Sequence, residues 1–91
     1  MDLNQLRCEI DAIDTELVKL FCARMEVSAK VADYKKANHL PIHHPAREQE
    51  VLEKVGLLAE PELTTYAQTL YAEIFRLSRD YQAAHNSEVH K

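Results

Sequence analysis

Apolar residues recur along the first third of the chain at alternating spacings of three and four: Leu3, Leu6, Ile10, Ile13, Leu17, Leu20, then Val27, Val31 and Tyr34. This is the seam of a heptad repeat, and it continues for more than four repeats. Asp2, with Gln5 three residues on, forms a capping-box pattern, so the helix is expected to begin at Leu3. Neither Gly nor Pro interrupts before Pro41. The predicted helix therefore runs to about Ala37 and is ~50 Å long at about 1.5 Å per residue.

Asn38–His44 reads as a break, since Asn38 can cap a helix end and Pro41 forbids continuation. Pro45 suits a first helical position, with His44 as its N-cap. A second helix is expected over residues 45–58, with Val51, Leu52, Val55 and Leu58 on its apolar stripe and Gly56 near its end. Pro61 opens a third, over about 61–85, whose stripe is Leu63, Tyr66, Ala67, Leu70, Tyr71, Ile74, Leu77 and Tyr81. The polar tail, 86–91, is expected to fray. The pattern gives an all-α fold of three helices, with 1–91 as a single helical domain. The first helix is too long for the other two to cover. Its seam must find another surface, which predicts a homodimer in which two first helices pack together.

Composition narrows the functional classes. A chain of 91 residues allows one domain, and 46% hydrophobic with 29% charged residues is an ordinary globular balance. Glycine occurs once, which excludes Gly-rich phosphate loops and dinucleotide fingerprints. A net charge of −4 and the absence of Trp argue against nucleic acid as a partner. No apolar run is long enough to span a membrane. Cys8 and Cys22 stand ~21 Å apart on one helix, too far for a disulfide. Two free thiols, behind an N-terminus without signal-peptide character, predict a cytoplasmic location.

Several polar residues fall where apolar ones are expected. Arg24 occupies a seam position, either paired to a carboxylate, or reaching to the helix edge, or meeting an anionic ligand. Lys35 follows eleven residues later, close to three turns, and so faces nearly the same way ~16 Å further on. Two such cations can hold a small dianion, although charged helix faces are often merely solvated. Arg7 lies ~25 Å before Arg24, beyond the reach of one metabolite within one chain. In an antiparallel dimer the two arginines of different chains can meet. Arg47 and Glu48 open the second helix, where an acidic residue also complements the helix dipole. Ser78 and Gln82 stand at i and i+4 on the third, as polar surface or as neutral hydrogen-bonding groups lining a pocket. His39, His43 and His44 crowd one loop but lack further ligands nearby, so no metal site is expected. No nucleophile with an adjacent base is evident, because both cysteines fall on the outer face of the first helix.

The series Leu3-x-x-Leu6-Arg7-x-x-Ile10-x-x-Ile13-Asp14-x-x-Leu17-x-x-Leu20-x-x-Arg24, then Lys35, Pro41, Arg47-Glu48 and Ser78-x-x-x-Gln82, resembles the all-helical chorismate mutase family over about residues 3–85. Each element alone is weak, but seven polar residues in register are specific. The resemblance implies an intertwined homodimer of three-helix subunits. It implies an isomerase that rearranges chorismate to prephenate in aromatic amino acid biosynthesis, with no cofactor. On this resemblance, Arg24 and the partner chain's Arg7 clamp the two substrate carboxylates. Lys35 touches a carboxylate and the ether oxygen, and Gln82 donates to the ether oxygen. Glu48 accepts from the ring hydroxyl, Ser78 assists at a carboxylate and Arg47 lines the site. His44 stands where the family often has Asp, a change that a main-chain contact tolerates and a carboxylate contact does not. Asp14 reads as a structural polar group.

The residue types suit this chemistry. A sigmatropic rearrangement needs no nucleophile, proton transfer or metal. It needs a flexible dianion folded into its reactive conformer, and positive charge where the breaking C–O bond becomes electron-rich. Two other readings share the pattern: isochorismate–pyruvate lyase, with much the same site, and a non-catalytic helical dimer module.

Overall fold

A capping box starts the long helix. Gln5 N donates to Asp2 Oδ1 at 2.9 Å, and Asp2 N donates back to Gln5 Oε1 at 3.0 Å. From there the computed structural model, which describes residues 2–88, is helical: α1 (Leu3–Ala37), α2 (Pro45–Leu58), a single 3-10 turn (Pro61–Leu63) and α3 (Thr64–Glu88). No strand occurs among the described residues, and none of their helices is long and apolar enough to cross a membrane.

α1 ends in a Schellman motif. His39 takes the left-handed conformation at φ 56°, Leu40 N donates to Lys35 O at 2.7 Å and His39 N to Lys36 O at 3.3 Å. Asn38 adds a side-chain bond from Nδ2 to Tyr34 O at 2.8 Å. After the turn, α2 begins at Pro45 with the His44 carbonyl accepting from Arg47 N and Glu48 N.

α3 lies between the other two helices, packing on the C-terminal half of α1 and along α2. The buried centre is small. Ala32 from α1, Val55 from α2 and Phe75 from α3 are its apolar members, joined by Ser28, Ser78 and Gln82. Gly56 is a contact residue and not a helix terminator. A Cβ there would meet Gln68 Nε2 at 2.6 Å, and Gln68 Nε2 itself donates to Leu52 O at 3.1 Å. Thr64 Oγ1 donates to Gly56 O at 3.0 Å, tying the start of α3 to α2.

Three details depart from the periodicity. α3 continues through Asn86–Glu88, past the expected stop at 85; the frayed end expected for 89–91 lies outside the described residues. Within one chain the inner face of α3 is Tyr71, Phe75, Ser78 and Gln82, while Leu63, Tyr66, Leu70 and Tyr81 of the expected stripe are exposed. Leu58 of α2 is also exposed.

On α1 the structure follows the expectation from helix length. Every residue from Leu3 to Ala23 is exposed. The apolar seam, Leu3 to Tyr34, is 39–66% exposed throughout. The radius of gyration is 16.4 Å, against about 12 Å for a globular chain of this length. The N-terminal half of α1 projects from the rest of the chain as a bare amphipathic arm.

Candidate active site

A cavity of about 330 Å³ opens where the second half of α1, the first turns of α2 and the second half of α3 converge. α1 supplies Arg24, Ser28, Val31 and Lys35 at i, i+4, i+7 and i+11, one face of the helix. α2 supplies Arg47, Glu48 and Val51. α3 supplies Phe75, Ser78, Arg79 and Gln82, with the same periodicity. Ile42 and His44 enter from the connecting loop. The residues singled out in the sequence as Arg24, Lys35, His44, Arg47, Glu48, Ser78 and Gln82 thus line one space. Arg7 does not, being ~25 Å back along α1.

Arg24 is half-buried. Its guanidinium lies over the rings of Tyr71 and Phe75, 5.7 Å from each centroid. It pairs with no carboxylate among the described residues. Lys35 Nζ donates to Ile42 O at 2.8 Å, which ties the loop to the cavity wall, and its other two donors have no partner among the described residues. Arg47 is exposed at the rim, where it pairs with Glu50 at 2.8 Å. His44 is likewise exposed, and its side chain makes no capping hydrogen bond to α2.

The floor is a chain of neutral groups. Gln82 Nε2 donates to Ser78 Oγ at 3.0 Å, and Ser78 Oγ donates to Ser28 Oγ at 3.0 Å. All three residues are buried. Gln82 Oε1 is also buried and has no partner among the described residues. An unsatisfied buried amide oxygen costs about 1–3 kcal/mol.

Glu48 is held by Arg79, whose Nη1 lies 2.7 Å from Oε1 and 2.6 Å from Oε2. Sequence reasoning missed both Arg79 and Ser28. Each was legible in part: Ser28 stands between Arg24 and Lys35 on their shared face, and Arg79 follows Phe75 by one helical turn. Counting Arg24, Lys35, Arg47 and Arg79 against Glu48, the cavity carries an excess of positive charge. Another charged pair lies away from the cavity, on the exposed face of α3. There Arg76 donates to Glu73, which holds the Glu73 carboxyl below its ordinary value and the Arg76 guanidinium above its own. The site is therefore an apolar-walled pocket with several separate cations, one carboxylate and a neutral hydrogen-bonding floor. Such a pocket can bind and fold a small polyanion.

A family model described as chorismate mutase type II matches residues 6–83. The chain belongs to this family. Among curated relatives, it is 41% identical over 54 residues to a bifunctional chorismate mutase/prephenate dehydratase of Aquifex aeolicus. It is 43% identical over 58 residues to the T-protein of Haemophilus influenzae. It is 31% identical over 58 residues to a chorismate mutase of Methanocaldococcus jannaschii. These matches take in 59%, 64% and 64% of this chain, but only 15% of each of the first two relatives and 59% of the third. No solved structure gives a significant match. The family match spans α1 from Leu6 to most of α3, and so contains every residue named above as lining the cavity.

Proposed function

We propose that this chain is a chorismate mutase that rearranges chorismate to prephenate in aromatic amino acid biosynthesis, working as a homodimer with two shared sites. The observation that carries the reading is the cavity. Arg24 and Lys35 from α1, Arg47 and Glu48 from α2, and Ser78 and Gln82 from α3 converge on a space of about 330 Å³, at the small end of metabolite sites. A dianion with an ether bridge and a ring hydroxyl would find partners there for one carboxylate, the ether oxygen and the hydroxyl.

In this mechanism Arg24 holds one carboxylate through its planar fork, stiffened by the two rings beneath it. Lys35 spans a carboxylate and the ether oxygen. Gln82 turns its amide N–H to the same oxygen, and Ser78 and Ser28 hold that amide in place. Glu48 accepts the hydrogen of the ring hydroxyl. The substrate is restrained in its reactive conformer, and charge developing on the departing oxygen meets two preplaced donors. Both donors bind the transition state more strongly than the ground state, which is what raises turnover.

The second carboxylate needs a cation that one chain does not bring close. An antiparallel pairing of two α1 seams would bury the exposed arm and carry Arg7 of the partner subunit to this cavity. Exposed apolar residues along all of α1 support that pairing. The tests are direct. Sedimentation should give twice the 10.5 kDa chain mass. Loss of chorismate absorbance with formation of prephenate establishes the reaction. Release of pyruvate from isochorismate without prephenate would make the chain a lyase, and turnover of neither would make it a helical interaction module.

A further inference from the structure

Arg79 reaches from α3 to Glu48 on α2, 31 residues earlier in the chain. One nitrogen, Nη1, sits astride both carboxylate oxygens. A carboxylate has about four acceptor positions, so a donor placed between its oxygens leaves the outer ones open. The two side chains are 32% and 25% exposed, against 64% and 69% for the rim pair Arg47–Glu50. Such partial burial makes this ion pair worth more than a surface one. His43 Nε2 lies 3.9 Å from Glu48 Oε1 and is 58% exposed, while Lys35, His44 and Arg47 line the same cavity.

An unpaired carboxylate in this cavity would repel a dianionic ligand and would rotate freely about its own side-chain bonds. A guanidinium bound across both oxygens cancels the charge and removes the rotation. Because its Nη1 is committed to Glu48, Arg79 is better placed to orient that carboxylate than to hold the ligand. We infer that Arg79 is a positioning residue, which holds the Glu48 carboxylate oriented so that its outer lone pairs receive the substrate's ring hydroxyl. The inference rests on the role proposed above for Glu48.

The test is a double-mutant cycle. kcat, KM and Tm are measured for wild type, Arg79→Ala, Glu48→Gln and the double variant, with Arg79→Lys as rescue. If alanine loses the fold, Arg79→Met keeps the packing of the stem and replaces it. Arg79→Ala should lower kcat/KM by about 10- to 100-fold, the scale of a misplaced contact. In the Glu48→Gln background the same change should cost less than about threefold, because its target is already gone. Arg79→Lys should recover to within about threefold of wild type, since a single nitrogen makes the contact. Equal losses in both backgrounds overturn the inference: with a raised KM, Arg79 touches substrate directly, and with a lowered Tm its role is structural. A wild type that does not turn over chorismate overturns the proposed function and this inference with it. Additive losses in an active enzyme overturn this inference alone.

Discussion

Arg24→Leu separates binding from stability. The guanidinium is half-buried over Tyr71 and Phe75, with no carboxylate partner among the described residues. Replacement removes two cation–π contacts of about 0.5–1 kcal/mol each. Leucine restores the apolar seam, and half of a full burial contributes about 1 kcal/mol. Removing a partly desolvated charge adds a further gain. The terms nearly cancel, so folding stability should change by about 1 kcal/mol or less. For a chain of this size that is a Tm change within about 4–8 °C. Turnover should respond very differently. A substrate carboxylate left in the cavity without its cation costs about 3–5 kcal/mol. At about 1.4 kcal/mol per tenfold, kcat/KM should fall roughly 10²- to 10⁴-fold. The assay pairs chorismate turnover with thermal unfolding at one fixed protomer concentration, because dimer stability depends on it. Arg24→Lys, which keeps the charge and loses the fork, should fall between. A Tm drop well beyond 10 °C, or turnover kept within about tenfold, would refute the assignment of Arg24 to the ligand.

The bounds of α1 and α2 were legible because local chemistry sets them. Asp2 with Gln5, then Asn38, then His44 with Pro45 act within one turn of where they stand, and each is where its helix starts or stops. The inner face of α3 was not legible. Hydrophobicity nominated Tyr66, Leu70 and Tyr81, yet these are exposed in one chain, and the buried row includes Ser78 and Gln82. The reason is that α3 turns its polar row toward α1, where Ser28 receives Ser78 across 50 residues of sequence. A pairing that distant leaves no trace in periodicity. Arg79 was lost the same way, because a charged residue on a helix reads as surface until its partner on another helix is known. Gly56 lies near the end of α2 as its position suggested, but its part in the fold, the close approach of the Gln68 side chain, depends on a contact with α3 that the sequence does not display. The bare seam of α1 is the one global feature that the pattern announced, since a heptad stripe of that length exceeds what two shorter helices can cover.

The remaining predictions concern the shared site, the turn and the floor of the cavity. Arg7→Ala and Arg24→Leu should each be nearly inactive, but refolded together they should recover about a quarter of wild-type activity, since half the dimers carry one intact site of two. A mixture that folds and stays inactive would exclude a site built from two chains. His39→Gly should raise stability by about 0.5–1 kcal/mol, read as a higher Tm, because glycine adopts φ 56° without the Cβ clash that histidine bears; an unchanged or lower Tm would show that the turn is held by something else. Gln82→Glu should invert the pH dependence of turnover. In wild type the Gln82 amide is a neutral donor at any pH, tied to Ser78. A carboxylate in its place can only accept when ionised, and it would repel the charge that grows on the ether oxygen. Protonated, it regains an O–H that can donate to that oxygen. The variant should therefore be most active in acid and lose kcat/KM as its carboxyl ionises with rising pH, while wild type stays flatter between about pH 4.5 and 8.5. The sign is what discriminates. A structural role for Gln82 lowers activity at every pH alike, whereas a donor role lowers it only where the replacement has lost its proton. A variant profile parallel to wild type would remove Gln82 from the ether oxygen and leave Lys35 alone there.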